Sequence, residues 1–115
     1  MEDERELLRG NTPTLILAAL KDGALHGYAL AREINRRSNN ALQCKQGTLY
    51  PALHALEQEG FIVGGWEYDT GQRPRKVYSL TEEGHTELDR RIKTWKQFAL
   101  AVNSVIGGTP HEQPA

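Results

Sequence analysis

The chain has 115 residues, of which 38% are hydrophobic and 25% charged, a composition typical of one globular domain. Its 14 basic and 15 acidic residues give a formal charge of -1, so net charge alone does not support a nucleic-acid partner. A single cysteine excludes an intramolecular disulfide, and because neither the acidic first residues nor any apolar run fits a secretory signal or a membrane span, we expect a cytoplasmic protein.

The first predicted helix contains the apolar segment 15–20. It begins at residues 11–13, where asparagine or threonine can cap a helix and proline suits the first turn, and it ends at Asp22 and Gly23. Leu7 and Leu8 precede a glycine, and we expect them to form a separate short turn or helix.

The second and third predicted helices are amphipathic. The second runs from His26 to Arg37, with an apolar stripe on one face and arginines on the other. The stripe comprises Tyr28, Leu30, Ala31 and Ile34, and the arginines are Arg32, Arg36 and Arg37. The third runs from Gln46 to Glu59, with Gly60 as its C-terminal stop. Its buried stripe is Leu49, Ala52, Leu53 and Leu56, and a different side carries Gln46, Tyr50, His54 and Glu57.

The last third of the chain predicts a hairpin and a long helix. Residues 61–68 and 75–80 are β-prone runs joined by a polar loop, which predicts an antiparallel hairpin with a basic tip. Thr81 can cap a last helix that runs to Ile106, and Gly84 in its first turn is a modest penalty. An apolar stripe at spacings of three and four residues is typical of a seam between packed helices. The stripe is Leu88, Ile92, Trp95, Ala99, Val102 and Ile106.

This element order predicts a mainly α fold with a small β-hairpin: a winged helix-turn-helix plus a C-terminal dimerisation helix. We expect the winged-helix unit, including the N-terminal helix, over residues 1–80, the dimerisation helix over 81–106 and a disordered tail over 107–115. In such folds the third helix enters the major groove of duplex DNA, and the hairpin, or wing, contacts phosphates or the minor groove. The candidate DNA-binding residues are Lys45, Gln46, Thr48, Tyr50 and His54 around the third helix and Arg73, Arg75 and Lys76 on the wing.

Two sequence blocks resemble the PadR-like transcriptional regulators: residues 47–60, GTLYPALHALEQEG, and residues 75–84, RKVYSLTEEG. His26-Gly27-Tyr28 is similar to the family segment that opens the second helix, and the resemblance extends from Leu8 to Ile106. It implies a homodimer, joined through its N- and C-terminal helices, that binds a pseudo-palindromic operator and usually represses a nearby gene. In the smaller subfamily an aromatic residue matching Trp95 lies at the dimer interface and helps to sandwich flat ligands, which implies a small planar effector as a further partner.

Simpler interpretations stand beside several of these assignments. Tyr50 can instead pack against the second helix with its hydroxyl at the surface. The basic residues of the wing and of the second helix can form solvated surfaces without a partner. Trp95 can serve dimer packing alone, without a ligand.

The sequence shows no compact ligand set and no catalytic constellation. The four histidines and Cys44 lack the spacing of a metal site, so no metal or cofactor is expected. No nucleophile, base and orienting group occur together, so we expect no enzyme activity. The alternative function is a winged-helix module that binds protein without specific DNA binding, which the near-neutral charge favours. Salt-dependent binding to duplex DNA would separate the two functions.

Overall fold

The computed structural model describes residues 2–68, 71 and 73–107. The elements within them are α1 (Glu2–Leu20), β1 (Leu25–His26), α2 (Gly27–Arg37), α3 (Gln46–Gln58), β2 (Ile62–Glu67), β3 (Arg75–Leu80) and α4 (Glu82–Ile106). The predicted fold class, mainly helical with a winged helix-turn-helix, is confirmed. Of the predicted tail, only Gly107 is described, and it ends α4 with a left-handed backbone, φ 119°; residues 108–115 lie outside the described part.

The sheet has three antiparallel strands in the order β1-β3-β2. β2 and β3 form the predicted hairpin, in register from Ile62 opposite Leu80 to Glu67 opposite Arg75. β1 has no counterpart among the predicted elements; it pairs with the other edge of β3. A two-residue strand is too short to show an alternating pattern, and its pairing partner lies far along the chain.

α1 runs without interruption through Pro13, so the predicted helix start just before this proline and the separate turn at Leu7 and Leu8 are wrong. A proline inside a helix cannot donate a backbone hydrogen bond to the preceding turn. The Asn11 side-chain amide donates to the carbonyl oxygen of Leu7 at 2.8 Å. Thr12 Oγ1 donates to the carbonyl oxygen of Leu8 at 2.7 Å. Both side chains therefore donate to carbonyl groups of the preceding helical turn. A capping side chain would instead accept from the first N–H groups of the helix that follows it.

α2 begins after His26, whose Nδ1 accepts a hydrogen bond from the backbone N–H of Ala29 at 3.3 Å. The buried residues of this helix lie at spacings of three and four on one side. They are Gly27, Leu30, Ala31 and Ile34. Tyr28 lies outside that side and is exposed, so its predicted place in the apolar stripe is wrong. The helix ends at Ser38, as predicted.

The core lies where α1, α2, α3 and the sheet meet. α1 contacts each of the other three helices and β3, so it is the element around which the rest is packed. Burial of each aliphatic side chain contributes about 1.5–3 kcal/mol before the entropy cost. The largest fully buried side chains are those of Thr12, Ile16, Leu17, Leu30, Leu49, Leu53, Leu56, Ile62 and Leu88.

Thr81 joins the end of β3 to the start of β2 and opens α4. Its backbone N–H donates to the carbonyl oxygen of Phe61 at 3.1 Å, and its hydroxyl donates to that of Gly60 at 2.6 Å. As the predicted N-cap, its Oγ1 also accepts from the backbone N–H of Gly84 at 3.0 Å. A Cβ at Gly84 would overlap the Phe61 carbonyl oxygen. The close approach of α4 to Phe61 therefore requires glycine at this position. The prediction that Gly84 is only a modest penalty to the helix did not include this contact.

We expect Gly84→Ala to destabilise the protein by about 1–3 kcal/mol or more, because the added methyl group pushes α4 away from Phe61. Gly10→Ala is the matched control: Gly10 is also helical, but its added Cβ would meet no atom within 4 Å. Alanine there should stabilise the protein by up to about 1 kcal/mol through its helix propensity. Urea unfolding measures both variants, and equal stability would contradict the close packing at Phe61.

Candidate nucleic-acid interface

α3 begins after a loop that α2 holds in place. The side-chain oxygen of Asn35, on α2, accepts a hydrogen bond from the backbone N–H of Cys44 at 2.8 Å. Lys45 follows at the N-cap position, and its carbonyl oxygen accepts from the backbone N–H groups of Thr48 and Leu49. The first turn of α3 is therefore positioned directly by the helix before it.

α3 has one buried and one exposed side, as its sequence predicts. Leu49, Leu53 and Leu56 are buried and Ala52 is partly buried. Of the candidate DNA-binding residues, Lys45, Gln46, Tyr50 and His54 are exposed and Thr48 is half-buried. Gln46, Tyr50 and His54 are four residues apart and share one side of the helix, whereas Thr48 lies at the other margin of the exposed surface.

Tyr50 lies against the start of α2. A Cβ at Gly27 would lie 2.7 Å from Tyr50 Oη and 3.1 Å from its ring. The interpretation that Tyr50 packs against the second helix is confirmed, and 45% of the residue nevertheless remains exposed. The absence of a side chain at Gly27 leaves the space in which the ring lies.

Lys76 connects the wing to α3. Its Nζ lies 3.1 Å from Glu57 Oε1 and 5.4 Å from the centre of the Tyr78 ring. Gly64 makes room for this side chain, since a Cβ there would overlap Lys76 Cε. Burial raises the pKa of the Tyr78 hydroxyl, while the charge of Lys76 acts in the opposite direction. Lys76 is therefore engaged in a contact within the chain.

The tip of the wing carries the other two predicted cations. Arg75 pairs with Glu67 across the hairpin, with 3.0 Å between Nη2 and Oε1. Arg73 is exposed. Residues 69, 70 and 72 of the connecting loop lie outside the part that the structure describes.

Glu33 neutralises two of the arginines of α2. Its carboxylate accepts from Arg36 at 2.7 Å and from Arg37 at 2.6 Å. These hydrogen bonds lower the pKa of Glu33 from 4.5 to about 2. Arg37 also pairs with Asp22 at 3.1 Å. The ion pairs support the interpretation of this side of α2 as a solvated surface.

Exposed aromatic side chains also lie outside the predicted site, among them Tyr28 and Trp66. Tyr28, at the start of α2, has the guanidinium carbon of Arg32 5.7 Å from its ring centre. Trp66, on β2, is exposed as well. The position of Trp66 in the sequence gives one indication that it is exposed. It lies close to the loop of a short hairpin, too far from the centre of a small domain to be buried in its core.

The predicted seam of α4 divides into a buried and an exposed part. Leu88 is 1% exposed and Ile92 packs against the core. The predicted place of Leu88 in a dimer seam is therefore corrected, because the chain itself buries it. Ile92 is only partly buried, so its place in the seam stays a prediction. Trp95 is 50% exposed, and its ring centre lies 6.3 Å from that of Phe98, which widens the exposed stripe together with Val105. Of the remaining predicted seam residues, Val102 and Ile106 are exposed and Ala99 is half-buried.

Metal ligands and membrane spans are not found among the described residues. These residues contain no group of three or more histidine, cysteine or acidic side chains placed to hold a metal ion. Cys44 is buried, and burial raises the pKa of its thiol. None of the described helices combines the length and the apolarity needed to cross a bilayer.

Comparison with known proteins points to one family. The family model described as transcriptional regulator PadR-like matches residues 16–90. The transcriptional regulator Rv3488 of Mycobacterium tuberculosis is 33% identical over 107 residues, which cover 93% of this chain and 94% of that protein. A transcriptional regulator structure from Clostridium thermocellum has a TM-score of 0.79 and 27% identity, over 86% of this chain and 93% of that one. Bacillus subtilis PadR in complex with operator DNA has a TM-score of 0.64 and 29% identity, over 70% of this chain and 45% of that one.

We expect the ion pairs of Glu33 to make stability depend on pH in acid. Its pKa is lowered from 4.5 to about 2 in the folded protein, so the pairs contribute fully above pH 4.5 and are lost as the pH falls towards 2. The urea midpoint of the wild type should therefore fall more steeply across this range than that of Glu33→Gln, which has no charge to lose. Parallel midpoint curves for the two proteins would contradict the lowered pKa.

Proposed function

Because the chain belongs to the transcriptional regulator PadR-like family, we propose that it binds duplex DNA as a homodimer on a pseudo-palindromic operator and represses transcription. The observation that carries this proposal is the exposed polar side of α3 beside a wing with a basic tip. The structure of Bacillus subtilis PadR in complex with operator DNA supports the same use of the fold here.

In this proposal α3 reads base edges in the major groove. Gln46 can donate and accept hydrogen bonds through its amide, and Thr48 through its hydroxyl. Both lie in the first turn, the part of a recognition helix that reaches the bases. Tyr50 and His54 continue the exposed surface along α3 and would meet bases or phosphates further along the groove. The buried leucines opposite hold this surface outward.

The wing supplies positive charge for the phosphates. Arg73 is exposed at its tip, and Arg75 is exposed there in an ion pair with Glu67, which a phosphate would have to share or replace. Lys76 differs from Arg75 because its partner, Glu57, lies on α3 and not on the wing. We assign Lys76 the role of fixing the wing relative to α3 and the two arginines the role of phosphate contact. This local charge explains how a chain of net charge -1 can bind DNA.

The exposed part of α4 supports the homodimer. Trp95, Phe98 and Val102 leave a broad apolar surface that the described residues do not cover. A symmetric partner is the commonest way to bury such a surface. Two-fold symmetry would place the two α3 helices in successive major grooves, with half-sites about 10 base pairs apart or a multiple of that. The half-exposed Trp95 ring also offers a flat surface on which a planar effector can stack.

Selection of bound duplexes from a randomised pool tests the proposal. A homodimer should enrich a palindromic consensus, and binding of the protein to this consensus near a promoter should lower transcription. Enriched sequences without symmetry would contradict the homodimer. A pool without any enrichment would favour the alternative function, a winged-helix module that binds protein.

The first functional prediction concerns the wing. Replacing both Arg73 and Arg75 by glutamine should weaken binding to every duplex and reduce the slope of log affinity against log salt by about 0.9 for each phosphate that is no longer neutralised. Gln46→Ala should instead relax base preference and leave the slope unchanged. Gel-shift titrations at several salt concentrations measure both effects. Unchanged affinity in the double variant would remove the wing tip from the DNA-binding surface.

The second functional prediction concerns the dimer. Val102→Asp should shift the protein from dimer to monomer in sedimentation and abolish operator binding, because it places a charge in the proposed seam. Leu100→Asp is the matched control: Leu100 is also apolar and exposed, but two residues away it lies on the opposite side of α4. It should remain dimeric and bind normally. A dimeric Val102→Asp protein would place the interface elsewhere.

A further inference from the structure

Trp66 lies on the side of the wing that faces α3. It follows Gly64 by two residues on β2, so both residues point to the same side of the sheet. That side faces α3, because Lys76 and Glu57 meet beside Gly64. Trp66 lies opposite Lys76 in the hairpin, two residues nearer the tip than Gly64.

The chain itself leaves this indole ring largely uncovered. On the same side of the sheet, Ile62 and Tyr78 are buried in the core, whereas Trp66 is 61% exposed. Tyr68, two residues further along, is also exposed. Core packing therefore accounts for little of the Trp66 surface, which leaves the ring available for contact with a partner.

The surroundings of the ring fit a polyanion. Lys76 lies opposite Trp66 in the hairpin, on the same side of the sheet, where it is paired with Glu57. Arg73 is exposed at the tip, and Arg75, paired with Glu67, lies on the other side of the sheet. The backbone of duplex DNA alternates phosphates, which pair with such cations, and deoxyribose rings, whose carbon atoms offer apolar surface to an indole. An exposed aromatic ring beside a lysine complements both parts of that backbone.

We propose that Trp66 is a DNA-contact residue whose indole ring packs on the sugar-phosphate backbone that passes between α3 and the wing. The inference rests on the proposed DNA-binding function and extends it to an uncharged side chain. A backbone contact does not depend on base sequence, and an uncharged ring releases no counterions. The contribution of Trp66 is therefore the same at every salt concentration, unlike that of the wing arginines.

The test compares Trp66→Ala with Val63→Ala. Val63 is the matched control, because it is 52% exposed on the opposite side of the same strand. Each protein is titrated into a fluorescein-labelled duplex of mixed sequence, about 40 base pairs or roughly four helical turns long. Fluorescence anisotropy at several salt concentrations should show that Trp66→Ala binds about tenfold more weakly than the wild type, with an unchanged salt slope. Trp66→Phe should recover part of the loss, and Val63→Ala should bind as the wild type does.

Fluorine NMR gives a direct readout of the contact. Protein made with fluorotryptophan carries one label at each of its two tryptophans, and the signal absent from Trp66→Phe identifies Trp66. This signal should shift when the same duplex is added. Circular dichroism of each variant checks that the fold is kept.

Four results would overturn the inference. Equal affinity of Trp66→Ala and the wild type would remove Trp66 from the interface while leaving the proposed function in place. Equal weakening in Trp66→Ala and Val63→Ala would show general damage to the wing. A changed sedimentation coefficient with unchanged affinity would assign the ring to a protein contact. Failure of the wild type to bind any duplex would overturn the proposed function itself, and the inference with it.

Discussion

The direction of α4 depends on the close approach of Gly84 to the carbonyl group of Phe61. Thr81 stabilises this contact, since it bonds to the carbonyl groups of Phe61 and Gly60 and also caps α4, the helix that contains Gly84. Leu88 then inserts into the core. α4 is thereby fixed to the short segment at Gly60 and Phe61 that connects α3 to the wing. In the proposed homodimer, two copies joined through α4 would consequently present their α3 helices in one defined arrangement.

Local signals predict those elements that local interactions determine. α2 and α3 lie within one residue of their predicted bounds, because apolar residues at helical spacing mark both and Gly60 marks the end of α3. α1 continues through Pro13, and the side chains of Asn11 and Thr12 bond to carbonyl groups of the preceding turn. The same side chains could also have capped a new helix, so their presence does not decide where the helix begins. The pairing of β1 and the need for glycine at position 84 arise from contacts with distant segments, which periodicity does not reveal.

In the candidate site, too, the sequence predicts what local spacing determines and does not predict contacts between distant segments. Helical spacing predicts that Gln46, Tyr50 and His54 are exposed while the leucines of α3 are buried. Spacing does not predict that Lys76 pairs with Glu57, because these residues lie on separate elements. Nor does it distinguish burial within a chain from burial between chains, so Leu88 and Trp95 belong to one sequence stripe although only Trp95 is exposed. The spread of charge over the surface is likewise a property of the fold, which the net charge of -1 conceals.

α4 contains no proline or glycine between His85 and Ile106, so it is one uninterrupted rod. Its 25 residues correspond to a length of about 37 Å. One end is clamped to the junction at Thr81, and the other end carries the exposed apolar surface. Rotation of this rod by about 5° about its exposed end displaces the end at Thr81 by about 3 Å. That displacement is nearly the rise of one DNA base pair, about 3.4 Å. A slight change of tilt in α4 is therefore sufficient to move a bound winged helix out of step with the bases beneath it.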